Sequence, residues 1–239
     1  MPSSAEQYTL KQIGNAPLRK RPFPHILVHG VFEPELYGRM MENILPPELM
    51  RPIREERPVA GTYSDKRFVF TLAPDRIATL PAHYAEFWEE FRAWLMASPL
   101  AIALIKKFGK NLNKRFPDPK PVFYNEAYLV EDRAQYALGP HTDAPSKVIT
   151  LLFYLPADAT RPHLGTSIYA PRDPAFRCRG GPHHAFDRFD RTDTIPYLPN
   201  TLFAFFKSDH SFHGVEPVSD GDTCRHLLLY DIKCRLPAA

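Results

Sequence analysis

The feature that most constrains this chain is a change of period at Pro121. Before it, apolar residues recur at helical spacing: Tyr84, Phe87, Trp88, Phe91 and Leu95 fall at i, i+3, i+4, i+7 and i+11 and predict a helix over 82–96. After it come short β-branched and aromatic runs bounded by Pro, Gly or Asp, at 122–130, 147–155, 166–170, 201–206 and 225–233. Helices followed by many strands predict an α+β chain whose C-terminal half forms a double-sheet barrel. We expect one domain over 1–239, with 1–120 as helical and strand support and 121–236 as core.

The first half carries further signals. His25 to Phe32 reads as a strand, and a helix entered at Pro34 carries Leu36, Met40 and Ile44 on one face before Pro46-Pro47 stops it. Residues 48–80 are irregular, with one strand expected at Arg67–Leu72. Ser98 as N-cap and Pro99 at N1 open a helix to about Phe116, and residues 1–24 should lie across the surface. The 26 prolines among 239 residues demand frequent loops. The segment 157–196 is either a lid or an excursion between strands.

Bulk properties exclude several function classes. A formal charge of +3 implies neither a nucleic-acid nor a membrane partner. The N-terminus has no apolar targeting core, and no run approaches the ~18 apolar residues of a spanning helix. Three irregularly spaced cysteines, Cys178, Cys224 and Cys234, read as thiols in a reducing compartment. The expected location is cytoplasmic.

The chemistry-bearing pattern is His141-Thr142-Asp143, followed 70 residues later by Ser-Phe-His213-Gly-Val. Two imidazoles and a carboxylate can occupy one face of an octahedral iron(II) and leave three positions open. Residues two apart on a strand share a face, so the pair can aim at one point. About 0.6 H-x-D pairs are expected by chance in this composition, so context carries the argument. The pair precedes the apolar strand KVITLLFYL, His213 follows the apolar strand TLFAFF, and Arg225 heads another strand 12 residues on. His210 competes with His213 as third ligand but has the poorer flanks.

With GPHTDAPSKVITLLFYLP, PNTLFAFFKSDHSFHGVEPV, RHLLLYDIK and the opening RPFPHILVHGVFEPE, the chain resembles the prolyl-hydroxylase-like branch of the iron(II)/2-oxoglutarate oxygenases. The resemblance covers about 120–235 well and the first 120 residues loosely. It implies a double-stranded β-helix (jelly-roll, cupin-like) core with N-terminal supporting helices. It implies iron(II) held by His141, Asp143 and His213, with 2-oxoglutarate and O2 as cosubstrates. Arg225 matches the arginine that grips the far carboxylate of 2-oxoglutarate, a role suited to its planar, permanently charged fork. Tyr128 matches a tyrosine that adds a hydroxyl to the same carboxylate, with Tyr136 as competitor. Position 227 is Leu where Ser or Thr often assists.

Asp143 stands where related halogenases have a small residue, which implies an oxygen-derived outcome. The expected reaction is hydroxylation of an unactivated C–H in a small-molecule or carbohydrate-like substrate, with release of succinate and CO2. A cupin-like metal-binding or sensor module and a prolyl-type side-chain hydroxylase are the alternatives. The arginines of 172–191 and His183 and His184, interleaved with aspartates, read as a solvated loop. Lys147 stands out for its place at the start of a strand beside the H-x-D pair.

Overall fold

The computed structural model describes residues 3–59, 63–118, 120–218 and 224–235. Two antiparallel sheets share one apolar interior, and the helices cover the outer face of the larger sheet. The first half contributes helix α1 (Ser4–Asn15), strand β1 (His25–His29), helix α2 (Pro34–Glu42), strand β2 (Arg51–Pro52) and helix α3 (Ile53–Glu56). It continues with strand β3 (Arg67–Thr71) and helices α4 (Pro74–Ile77), α5 (Ala82–Leu95), α6 (Ser98–Lys107) and α7 (Gly109–Arg115). The second half is strands: β4 (Phe123–Asp132), β5 (Leu138–His141), β6 (Lys147–Tyr154), β7 (Thr166–Pro171), β8 (Phe189–Ile195), β9 (Thr201–Phe206), β10 (His213–Val215) and β11 (Arg225–Cys234).

The large sheet runs β1-β9-β6-β11-β4-β3-β2 and the small one β5-β10-β7-β8. Period-two alternation sorts the side chains of the large sheet. On β11, Leu228, Tyr230 and Ile232 join the helix-facing cluster, whereas Leu227 and Leu229 join the interior shared with Leu138, Ile168, Ile195 and Val215 of the small sheet. Helix α5 buries Phe87, Trp88, Phe91 and Leu95, the stripe its sequence presents. Phe32 stacks on Phe153 of β6 at 5.0 Å and meets Phe91 edge-on, tying helix to sheet.

Several elements differ from the sequence reading. Residues 4–15 are helical, held by a capping box in which Ser3 accepts from the Glu6 backbone and Glu6 from that of Ser3. The helix expected over 98–116 is two, broken at Phe108, and its N-cap is Ala97, with Ser98 already inside the helix. The segment 157–196 includes a strand, β8, paired with β7. No helix among the described residues is long and apolar enough to cross a membrane.

Candidate metal centre and cosubstrate cavity

Strand pairing brings the two histidines together. His141 ends β5, His213 begins β10, and they are direct cross-strand partners with ring centroids 4.4 Å apart. Each ring's Nδ1 lies 3.0 Å from a backbone carbonyl two residues earlier, Gly139 for His141 and Ser211 for His213. An Nδ1–H donating there leaves the Nε2 lone pair free for a ligand. The donor atoms of His141, Asp143 and His213 all lie within 4.8 Å of one another, and all three residues are buried. This donor set suits a divalent transition metal, while His210 is exposed and outside the cluster.

The electrostatics keep the ligands in their binding states. Burial, reinforced at His141 by the neighbouring His213, holds both imidazoles below the usual histidine value and so neutral. Burial alone would raise the Asp143 carboxyl. The facing Lys147 and the Thr150 hydroxyl outweigh it and hold the group below the usual carboxylate range. Lys147 Nζ sits 3.2 Å from Asp143 Oδ1 and 3.0 Å from Asp231 Oδ2, and Thr150 donates to Asp143 Oδ2 at 2.7 Å.

The excursion after β7 clamps this turn from outside. Thr142 donates to the Cys178 carbonyl at 2.8 Å, and the His184 backbone donates to that of Pro140 at 2.9 Å. Gly180 adopts φ +119°, and a Cβ there would stand 2.0 Å from the Asp143 carbonyl oxygen, so only glycine permits the approach. Phe176 and Phe189 pack on Phe212, the residue before His213. The segment read as a solvated loop therefore buttresses both ligand strands. His183 also lines the cavity, edge-on to His141 at 4.8 Å.

The cavity is roughly 680 Å³, within the range of small-molecule sites. Away from the metal ligands its wall is set by sheet register. Arg67 of β3, Asp132 of β4 and Arg225 of β11 are direct partners on neighbouring strands, all buried. Arg67 grips Asp132 with two bonds, Nε to Oδ1 at 2.5 Å and Nη2 to Oδ2 at 2.8 Å. Arg225 Nη1 reaches Asp132 Oδ2 at 2.7 Å, its Nε the Leu164 carbonyl at 2.6 Å and its Nη2 the Thr166 hydroxyl at 3.3 Å. Two guanidiniums thus share one carboxylate, and both line the cavity.

The expected hydroxyl anchors fall elsewhere. Tyr128 donates to Glu126 at 3.0 Å, and Tyr136 packs its ring against the Arg67 guanidinium at 4.5 Å; neither is among the described residues lining the cavity. Thr166 does line it, and its oxygen accepts from Tyr154 at 2.7 Å as well as from Arg225. With both acceptances filled, its own proton remains available to a further acceptor. Sequence reasoning missed Thr166 and Arg67, because neither lies near the motif; only strand pairing brings them in.

No family sequence model matches the chain, and no curated protein matches it in sequence. Its three-dimensional likenesses are extensive. A prolyl-4-hydroxylase from Pseudomonas putida superposes with a TM-score of 0.53, 13% identity, and coverage of 96% of this chain and 99% of that one. A prolyl 4-hydroxylase from Phytophthora capsici gives 0.56 at 13% identity, over 98% of this chain and 67% of that one. The dioxygenase for auxin oxidation from Arabidopsis thaliana, in its 2-oxoglutarate binary complex, gives 0.53 at 15% identity over 99% and 91%. The chain therefore has the fold of the prolyl-4-hydroxylases and their 2-oxoglutarate, iron(II) oxygenase relatives.

Proposed function

We propose that the protein is an iron(II)- and 2-oxoglutarate-dependent oxygenase that oxidises a small molecule, hydroxylation being the outcome an aspartate at 143 favours. The observation that carries this is the arrangement of charge along one cavity. One end presents two neutral imidazoles and an ionised carboxylate; the other presents two arginines sharing a single aspartate, with one positive charge in excess. A buried excess charge is costly unless an anion meets it. A dicarboxylate cosubstrate that also contacts the metal supplies such an anion. In this reading the two sheets are those of a double-stranded β-helix, with its mouth at the metal end.

The residues have distinct tasks. His141, Asp143 and His213 would hold iron(II), which together with 2-oxoglutarate supplies oxidation by O2, with succinate and CO2 as coproducts. Arg225 receives the far carboxylate, and Thr166 takes the place of the hydroxyl missing at Leu227. Leu152, Leu229 and Val215 line the cavity between and keep it apolar, which strengthens the charge interactions at both ends. Lys147 keeps Asp143 ionised and fixed before metal arrives.

The test is succinate formation from 2-oxoglutarate with iron(II) and O2. It should require both, and His141→Ala and Asp143→Ala should abolish it. Full activity retained in either variant would refute the metal assignment.

A further inference from the structure

Four cations line the cavity, Arg57, Arg67, Lys147 and Arg225, against one carboxylate, Asp143. Two more carboxylates stand within reach of the wall: Asp132, shared by the two deep arginines, and Asp231, 3.0 Å from Lys147. The charges of iron(II) and 2-oxoglutarate offset each other. Asp132, Asp143 and Asp231 offset Lys147 and the deep arginines. Arg57 has no carboxylate of its own: the acidic groups whose charge it feels, Glu126 and Asp231, are each paired with a lysine, at 2.8 and 3.0 Å.

Its surroundings are those of a receiving group. Arg57 directly follows α3, its backbone N–H donating to the Ile53 carbonyl at 3.0 Å, so its position is fixed by the helix end. The guanidinium lies over the Tyr128 ring at 5.3 Å, a cation–π contact that holds the planar group by its face. Among the described residues it makes no hydrogen bond or ion pair. Glu126, on the same strand as Tyr128, is already engaged by Lys233 at 2.8 Å and the Tyr128 hydroxyl at 3.0 Å. Pro58, Val59, Tyr63 and His183 continue the wall beside it and offer apolar and ring surface. A half-buried arginine in the wall of an open cavity can match an oxyanion bidentately through its fork.

We propose that Arg57 is a specificity-determining residue that receives an oxyanionic group, of the carboxylate class, on the primary substrate, an inference resting on the oxygenase reading above. Tyr128, which the sequence pattern matched to a cosubstrate anchor, instead supports this arginine. The substrate is then a small molecule with one anionic group and an apolar or ring-shaped body.

The experiment separates this inference from the reading beneath it. The visible charge-transfer band of the iron(II)–2-oxoglutarate chelate is recorded first, without oxygen, in wild type, Arg57→Gln and Arg57→Lys. Absence of the band from wild type removes the oxygenase reading itself. With the band present, a protein-free cell extract is split on an anion exchanger at neutral pH into retained and unretained small molecules. Each fraction is added to the aerobic enzyme, and separately to the anaerobic complex for thermal denaturation.

The retained fraction should stimulate succinate formation by about tenfold or more over the unretained one, and should raise the Tm of wild type. Arg57→Gln should lose both responses, and Arg57→Lys, which keeps the charge without the fork, should keep part of each. Three results would overturn the inference: stimulation confined to the unretained fraction, an equal response of Arg57→Gln to the retained one, or a response to neither fraction.

Discussion

The two ends of the cavity are built by different rules. The metal end is only partly non-local: His141 and Asp143 are two residues apart, and His213 alone joins them across strands, as the register partner of His141. Its accessory contacts, from Gly139, Ser211 and Thr150, come from within seven residues of the ligand each serves. The arginine end is wholly non-local. Arg67, Asp132 and Arg225 are separated by 65 and 93 positions and meet only because β3, β4 and β11 pair in that register. A slip of one residue in register, which turns every side chain to the other face, would spare the His141–Asp143 pair but take His213 from it and dismantle the whole arginine row.

Damage to each end should have its own signature. Asp132→Asn should be the most disruptive to the fold, since it leaves two buried guanidiniums without their shared counter-ion. The expected cost is about 3 kcal/mol or more, read as a lower midpoint in denaturant titration. An unchanged midpoint would mean that water already compensates the arginines. Arg225→Ala should weaken 2-oxoglutarate binding by about 2–5 kcal/mol while iron(II) affinity stays near that of wild type. Equal losses of both would erase the distinction between the ends.

Gly180→Ala probes the metal end from outside the motif. Its added Cβ must displace the Asp143 carbonyl, so iron(II) affinity should fall about 10–100-fold while 2-oxoglutarate contacts at the deep end persist. Wild-type affinity would show that the excursion covers the H-x-D turn without positioning it. Thr166→Val should have the smallest effect, about 1 kcal/mol in 2-oxoglutarate binding, the worth of one hydroxyl bond. No change at all would return the second anchor to the open question that Leu227 raises.

The same contrast explains what was legible in the sequence. The metal pattern could be read because its residues flank strands whose apolar runs are unmistakable, KVITLLFYL and TLFAFF. Helix α5 was legible because its aromatic stripe is also its buried face. Strand β8 was not, since most of FDRTDTI is exposed and only Phe189 and Ile195 at its ends are buried, leaving no alternation to detect. Helix α1 was missed although Ser3 and Glu6 carry the S-x-x-E signature, because its low hydrophobicity concealed the period. Arg67 and Thr166 could not be singled out from sequence: an arginine or threonine in a strand acquires its role only through the residue opposite. Tyr128 illustrates the converse. Its strand and inward face were readable, but its hydroxyl partner, Glu126, and the arginine resting on its ring were not.

In the proposed function one cavity joins a metal-binding end to an anion-binding end, and a single dicarboxylate spans both. Anaerobic titration of the iron(II)-loaded protein with 2-oxoglutarate, followed through the visible charge-transfer band of the chelate, tests it most directly. A saturable band should appear in wild type, be lost in His213→Ala, and appear only at much higher 2-oxoglutarate in Arg225→Ala. A folded, iron-loaded wild-type protein that shows no band would contradict it and leave a metal-binding barrel without the cosubstrate.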